Sequence, residues 1–100
     1  MSKLVLTLAP DHRATRGHFP GNPIIPGAVL LRETLSAISS AEDRDFSLWA
    51  VSFAKFPAPA RPGDRVRIEY TVDGTRLILA CSVEKRTVLK VELMCTKDGE

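Results

Sequence analysis

Leu4, Leu6 and Leu8 alternate with Val5 and Thr7, so the chain opens on a pattern that predicts a short strand over 4–8. A polar, basic stretch over 10–16 reads as loop, and a proline-rich loop follows it. Pro26-Gly27 then opens a helix that runs to about Ser40, where a Ser-Ser-Ala-Glu-Asp cluster ends it. Leu31, Leu35 and Ile38 fall at i, i+4 and i+7, and Val29 and Leu30 widen the stripe, which predicts a helix wrapped on most of its sides. From there the period changes from that of a helix to that of a strand. Residues 47–56 are rich in aromatic and β-branched side chains, and 57–64 form a turn-rich connector with three prolines. Val66, Ile68, Tyr70 and Val72 alternate with Arg65, Arg67, Glu69 and Thr71. Asp73-Gly74 predicts a type I′ hairpin, 77–83 the next strand and Glu84-Lys85-Arg86 the next turn. A last strand over 88–95 turns Leu89, Val91, Leu93 and Cys95 inward, and the polar residues 96–100 read as a frayed tail.

One apolar helix set among five strands implies an α+β domain over 1–100, an antiparallel sheet of about five strands wrapped around one central helix. At 100 residues the chain supports only a modest core, which favours self-association. A net charge of +2 is far from the bias of a dedicated nucleic-acid binder, so no nucleic-acid partner is expected. Cys81 and Cys95 lie in strand patterns and read as reduced core thiols, and two cysteines with two histidines match no zinc spacing. No apolar run has the length of a membrane span, and Met1-Ser2-Lys3 leads into no cleavable leader pattern, so a cytoplasmic location away from membranes is expected.

The chemistry concentrates before the helix. Prolines at 20, 23 and 26 fix the backbone around His18, and the helix start brings unpaired amides close by. The run His18-Phe19-Pro20-Gly21-Asn22-Pro23-Ile24-Ile25-Pro26-Gly27 resembles the HFPGxPxxPG segment of the hot-dog-fold 3-hydroxyacyl-acyl-carrier-protein dehydratases of type II fatty acid synthesis. Residues 53–64, Phe-Ala-Lys-Phe-Pro-Ala-Pro-Ala-Arg-Pro-Gly-Asp, are similar to that family's second signature, a strand leading into P-x-x-P-G-D. The resemblance implies a hot-dog fold, a site shared between two subunits of a homodimer or larger oligomer, and an acyl-carrier-protein or coenzyme A thioester as substrate. It also implies a reaction without metal or organic cofactor, since the thioester itself acidifies C2.

By the same resemblance His18 is the base at C2 and the Gly27 amide receives the thioester oxygen; Ala28 and Arg32, further along the same helix, are candidate oxyanion or substrate contacts beside them. The family's helix carboxylate lies fourteen positions after its histidine, which here is Arg32; Glu33 follows it and is the candidate acid. Neighbouring helix positions point about 100° apart, so Glu33 reaches the family's direction only through a one-residue slip such as a π-bulge. A guanidinium stays protonated and cannot serve in its place.

Each residue also has a plainer reading. His18 can tie a loop together, and His12 sits among charges as a surface residue. Glu33 can pair with Arg32 or stabilise the helix dipole, and Arg32 can meet a phosphopantetheine anion or a carboxylate across an interface. Gly27 can serve close packing, and Arg13, Arg16, Lys55, Arg61 and Arg65 form a rim for an acidic carrier protein or a solvated face. Trp49 and Phe53 read as sheet packing or as tunnel lining. The leading expectation is a 3-hydroxyacyl-thioester dehydratase. Its rivals are a hot-dog acyl-thioester binder, thioesterase or impaired partner subunit, and a small interaction module.

Overall fold

The period-2 alternation of the second half becomes three long strands in a computed structural model of the chain, in which residues 1–11 and 23–95 are described. In chain order the elements are β1 (Ser2–Thr7), α1 (Gly27–Glu42), β2 (Ala50–Lys55), β3 (Arg65–Asp73), β4 (Arg76–Val83) and β5 (Arg86–Met94). They form one antiparallel sheet in the order β1-β3-β4-β5-β2, with α1 against one face, the arrangement the sequence pattern implies. The meander β3-β4-β5 is its centre, and β1 and β2 come from opposite sides of the helix to close its two edges.

Val66, Ile68, Leu77, Leu79, Leu89, Val91 and Leu93 point to the helix side and are buried, as the alternation requires. Leu30, Thr34 and Ile38, four residues apart, form the buried ridge of α1. Burying Leu30 and Ile38 contributes about 2 kcal/mol each. Among the described residues Thr34 is the buried polar residue of the core, and its hydroxyl lies 3.6 Å from the Cys81 thiol, so neither group is left unpaired. At the far end of α1 the Tyr70 hydroxyl donates to Glu42 Oε2 (2.6 Å), and that carboxylate holds the phenol above its ordinary pKa.

The structure departs from the sequence reading in five places. The helix is buried on one face only: Ala28, Arg32, Ser36 and Ser40 form an exposed stripe, because the sheet covers one side of it. The β3–β4 loop is Gly74-Thr75, since Asp73 pairs with Arg76; positive φ falls on Gly74 (61°) and not on Thr75, the signature of a II′ turn rather than I′. Strand β2 begins at Ala50 instead of Ser47, because the Ser47 amide donates to Asp45 Oδ1 (2.8 Å) and the Trp49 amide to the Phe46 carbonyl (3.1 Å), closing turns there. Cys95 lies half-buried beyond the end of β5, and Phe53 faces outward, half exposed, because a bulge at Ser52 shifts the β2–β5 register.

Two measurements test this packing. Asp43 ends α1 in a left-handed conformation (φ 52°) with a carboxylate at the negative helix end, so Asp43→Gly raises stability by about 1 kcal/mol in urea titration; an unchanged midpoint counts against this. Burial pushes the Cys81 thiol up from 9.0 to about 11. The unfolded chain ionises it first, so stability falls as pH rises from about 9 to 11 and is untouched by this group below that window. In a Cys95→Ser background the native Cys81 thiol therefore stays silent to a thiol reagent at pH 8 until denaturant is added; stoichiometric reaction in the native state counts against it.

Candidate active site at the start of the helix

Pro26 occupies the N-cap position with φ −56° and ψ 142°, and its carbonyl accepts from the amides of both Val29 and Leu30 (3.0 Å each). The amides of Gly27 and Ala28 therefore point out of the helix, and among the described residues nothing accepts from them. No acidic side chain occupies the first turn, so the positive end of the helix dipole is uncompensated from within α1. The segment before the helix is anchored by the Ile25 amide, which donates to the Ala60 carbonyl (2.8 Å) in an isolated antiparallel bridge. The proline connector thus holds the residue two positions before Gly27 as part of the sheet framework.

The ring of Phe56 lies over Gly27. A Cβ at position 27 would sit 2.7 Å from Phe56 Cε2 and 2.9 Å from Cδ2, so only a glycine allows this approach. Phe56 immediately precedes Pro57 and is 45% exposed. Beside it an apolar trough of about 540 Å³ is lined by Ile24, Ile25, Leu30, Ala58, Ala60 and Val88. Val88 reaches it because a bulge in the β4–β5 pairing turns Val88 and Leu89 both inward.

A second groove, of about 440 Å³, runs along the other flank of α1 between Ala28, Leu31, Arg32, Leu35 and Ser36 and the β2 side at Trp49 and Val51. Asp45 lines its far end, and the donation from Ser47 holds that carboxyl below its ordinary pKa. The groove therefore carries a cation near the helix start and an anion near the helix end.

The candidate residues separate accordingly. Gly27, Ala28 and Arg32 gather at the exposed start of α1. Glu33 is half-buried on the flank of Val29 and Ala37 and lines neither hollow, and α1 runs regularly through it with no π-bulge. His18, His12, Arg13 and Arg16 lie outside the described residues. Lys55 and Arg65 are exposed on the strands, Trp49 is buried, and Arg61 is half-buried. Phe56 is not among the sequence-based site candidates, although it lies in the 53–64 segment that resembles the family's second signature and directly precedes the proline-rich connector. Among the described residues no three His, Cys, Asp or Glu side chains cluster as a metal site, and no helix is long and apolar enough to cross a membrane.

Residues 2–92 match the family model ApeI-like, described as ApeI dehydratase. The chain is 31% identical over 80 residues to the 3-hydroxyacyl-[acyl-carrier-protein] dehydratase FabZ of Thermomicrobium roseum, covering 72% of this chain and 53% of that one. It is 36% identical over 70 residues to the FabZ of a Caulobacter species, covering 61% and 43%. The chain thus spans about half the length of these curated relatives. Among solved structures, the dehydratase heterocomplex ApeI:P of Xenorhabdus doucetiae shares the fold with a TM-score of 0.71 at 22% identity, over 92% of this chain and 83% of that one. An uncharacterised protein from Erwinia carotovora subsp. atroseptica does so with a TM-score of 0.74 at 23% identity, over 92% and 79%. The fold is therefore the hot-dog fold.

The contact at Gly27 is open to a direct check. The atoms that a new Cβ meets belong to a movable, half-exposed ring, so Gly27→Ala stays within about 1 kcal/mol of the parent while the Phe56 ring resonances shift. A loss of about 3 kcal/mol or more would mean the ring is locked in place.

Proposed function

The chain belongs to the ApeI-like dehydratase family, and from that membership we propose that it dehydrates 3-hydroxyacyl thioesters to 2-enoyl thioesters in fatty acid or related acyl-chain biosynthesis. The observation that carries the proposal is the open amide of Gly27, a residue that lines the apolar trough, with the open amide of Ala28 next to it in the chain. Amides aimed at a thioester oxygen stabilise the negative charge that develops there when C2 loses its proton, and the helix end adds to that field. His18, nine positions before Gly27, is the base in this reading, because an imidazole titrates near neutral pH. It takes the C2 proton, the C3–O bond breaks, and the hydroxyl leaves as water with a proton from the acid. Glu33 is the candidate acid of this chain. Ala28 and Arg32 adjoin the thioester and its carrier.

The assembly in this proposal is a dimer at least. Strand β2 is an edge strand with Val51 48% and Phe53 51% exposed on its two faces, which favours pairing with a second copy and continuing the sheet. The acyl group arrives on an acyl carrier protein or coenzyme A, in the cytoplasm. FabZ relatives act, by their names, on carrier-protein substrates.

One observation favours a second reading. Arg32 stands at the helix position where the family resemblance sets a carboxylate and lines the second groove, and Glu33 faces another flank. The chain then serves as a partner whose active site is completed by a related subunit that supplies the acid. The ApeI:P structure is a dehydratase heterocomplex.

The enoyl absorbance of a 2-enoyl thioester separates these readings. Under the first, the purified chain hydrates the substrate; His18→Ala lowers kcat about 100-fold or more and Glu33→Gln lowers it comparably. Turnover that survives Glu33→Gln removes Glu33 from the mechanism. Turnover that appears only after a related subunit is added establishes the second reading, and thiol release without enoyl change makes the protein a thioesterase.

A further inference from the structure

We propose that Phe56 determines the length of acyl chain this protein accepts, by standing where the apolar trough meets the helix-start amides. The inference rests on the dehydratase reading only in seating the thioester carbonyl at Gly27. The ring touches the face of Gly27 and also lines the trough, so it belongs to both the place of the carbonyl and the place of a tail. It remains 45% exposed although it is a phenyl group at the end of a sheet strand, so its position is not explained by the core. Its backbone is fixed: Lys55 pairs with Lys90, Pro57 restricts Phe56 to extended conformations, and Ala60 is bridged to Ile25. The side chain is therefore held at its root, and what varies is how much of the trough the ring occupies.

The trough suits an alkyl tail. Among the described residues no ionisable side chain lines it, and about 540 Å³ is within the range of small-molecule sites. The alternative path along the other flank passes Arg32 and the ionised Asp45, whose desolvation by a hydrocarbon chain is unfavourable. A tail leaving a carbonyl at Gly27 thus runs past Phe56, over Leu30 and toward Val88. Trimming the ring lengthens that path and enlarging it shortens the path.

The test uses the purified protein in its native assembly, as the parent, Phe56→Ala and Phe56→Trp. Calorimetry gives the affinities for butyryl- and decanoyl-coenzyme A, which cannot be dehydrated, and enoyl absorbance follows crotonyl- and decenoyl-coenzyme A. The ratio of long-chain to short-chain affinity rises about tenfold or more in Phe56→Ala and falls in Phe56→Trp. A ratio that does not move, or affinities that fall in parallel for both chains, overturns the proposal. A shifted binding ratio without enoyl conversion by any of the three proteins upholds the role of Phe56 and sinks the dehydratase reading. Conversion with an unshifted ratio does the reverse, and failure to bind either thioester overturns both.

Discussion

Everything at the site depends on how the start of α1 is tied to the connector between β2 and β3. The Ile25–Ala60 bridge is a single pair of residues, yet it fixes the chain two positions before the open amides. The connector is itself held from the other side, where the Gly63 amide donates to Leu8 (2.8 Å) and the Leu8 amide to Asp64 (2.9 Å). The Arg61 amide donates to Asp64 Oδ2 (2.8 Å), closing the turn between those anchors. A helix end placed by backbone hydrogen bonds keeps its dipole aimed without reorganisation, which is what stabilising a transient oxyanion demands.

The glycine at 27 and the aromatic at 56 are two halves of one device. With any larger residue at 27 the ring would be displaced, and without the ring the glycine would expose bare backbone beside an apolar trough. Arg32 and Glu33 sit on the same helix but not on the same side of it. In the proposed reaction the removal of water turns on the acid, while binding of the thioester turns on the backbone and apolar side chains around Gly27 and Phe56.

The strands of the meander were legible because one face of each is buried, and burial imposes a period of two that nothing else disturbs. The helix was legible as a helix, but not its exposed stripe. Ala28 and Ser36 are small and carry no burial signal, and Leu31 and Leu35 on its flank look like core residues in sequence. Asp73-Gly74 suggested its own turn because the dipeptide is a common one, whereas register with Arg76 moved the turn by one residue. The bulges at Ser52 and Val88 were invisible because each depends on what the neighbouring strand presents, which no local pattern encodes. The motif residues were visible as a string, but the meeting of Phe56 with Gly27 joins positions that are distant in the chain.

The order of elements has a consequence for biosynthesis. Thr34 and its neighbours on the buried ridge of α1 find their platform in β4 and β5, and Cys81, which Thr34 meets, is 47 residues further along the chain. While the ribosome is still making the meander, the helix is a short amphipathic segment with nothing to cover it, and isolated helices of this length are marginal in water. β1 and β2 likewise wait for inner neighbours translated after them. Folding then waits for the hairpins of the meander, whose loops close over two residues, and until those emerge the nascent chain exposes the apolar surface that chaperones bind.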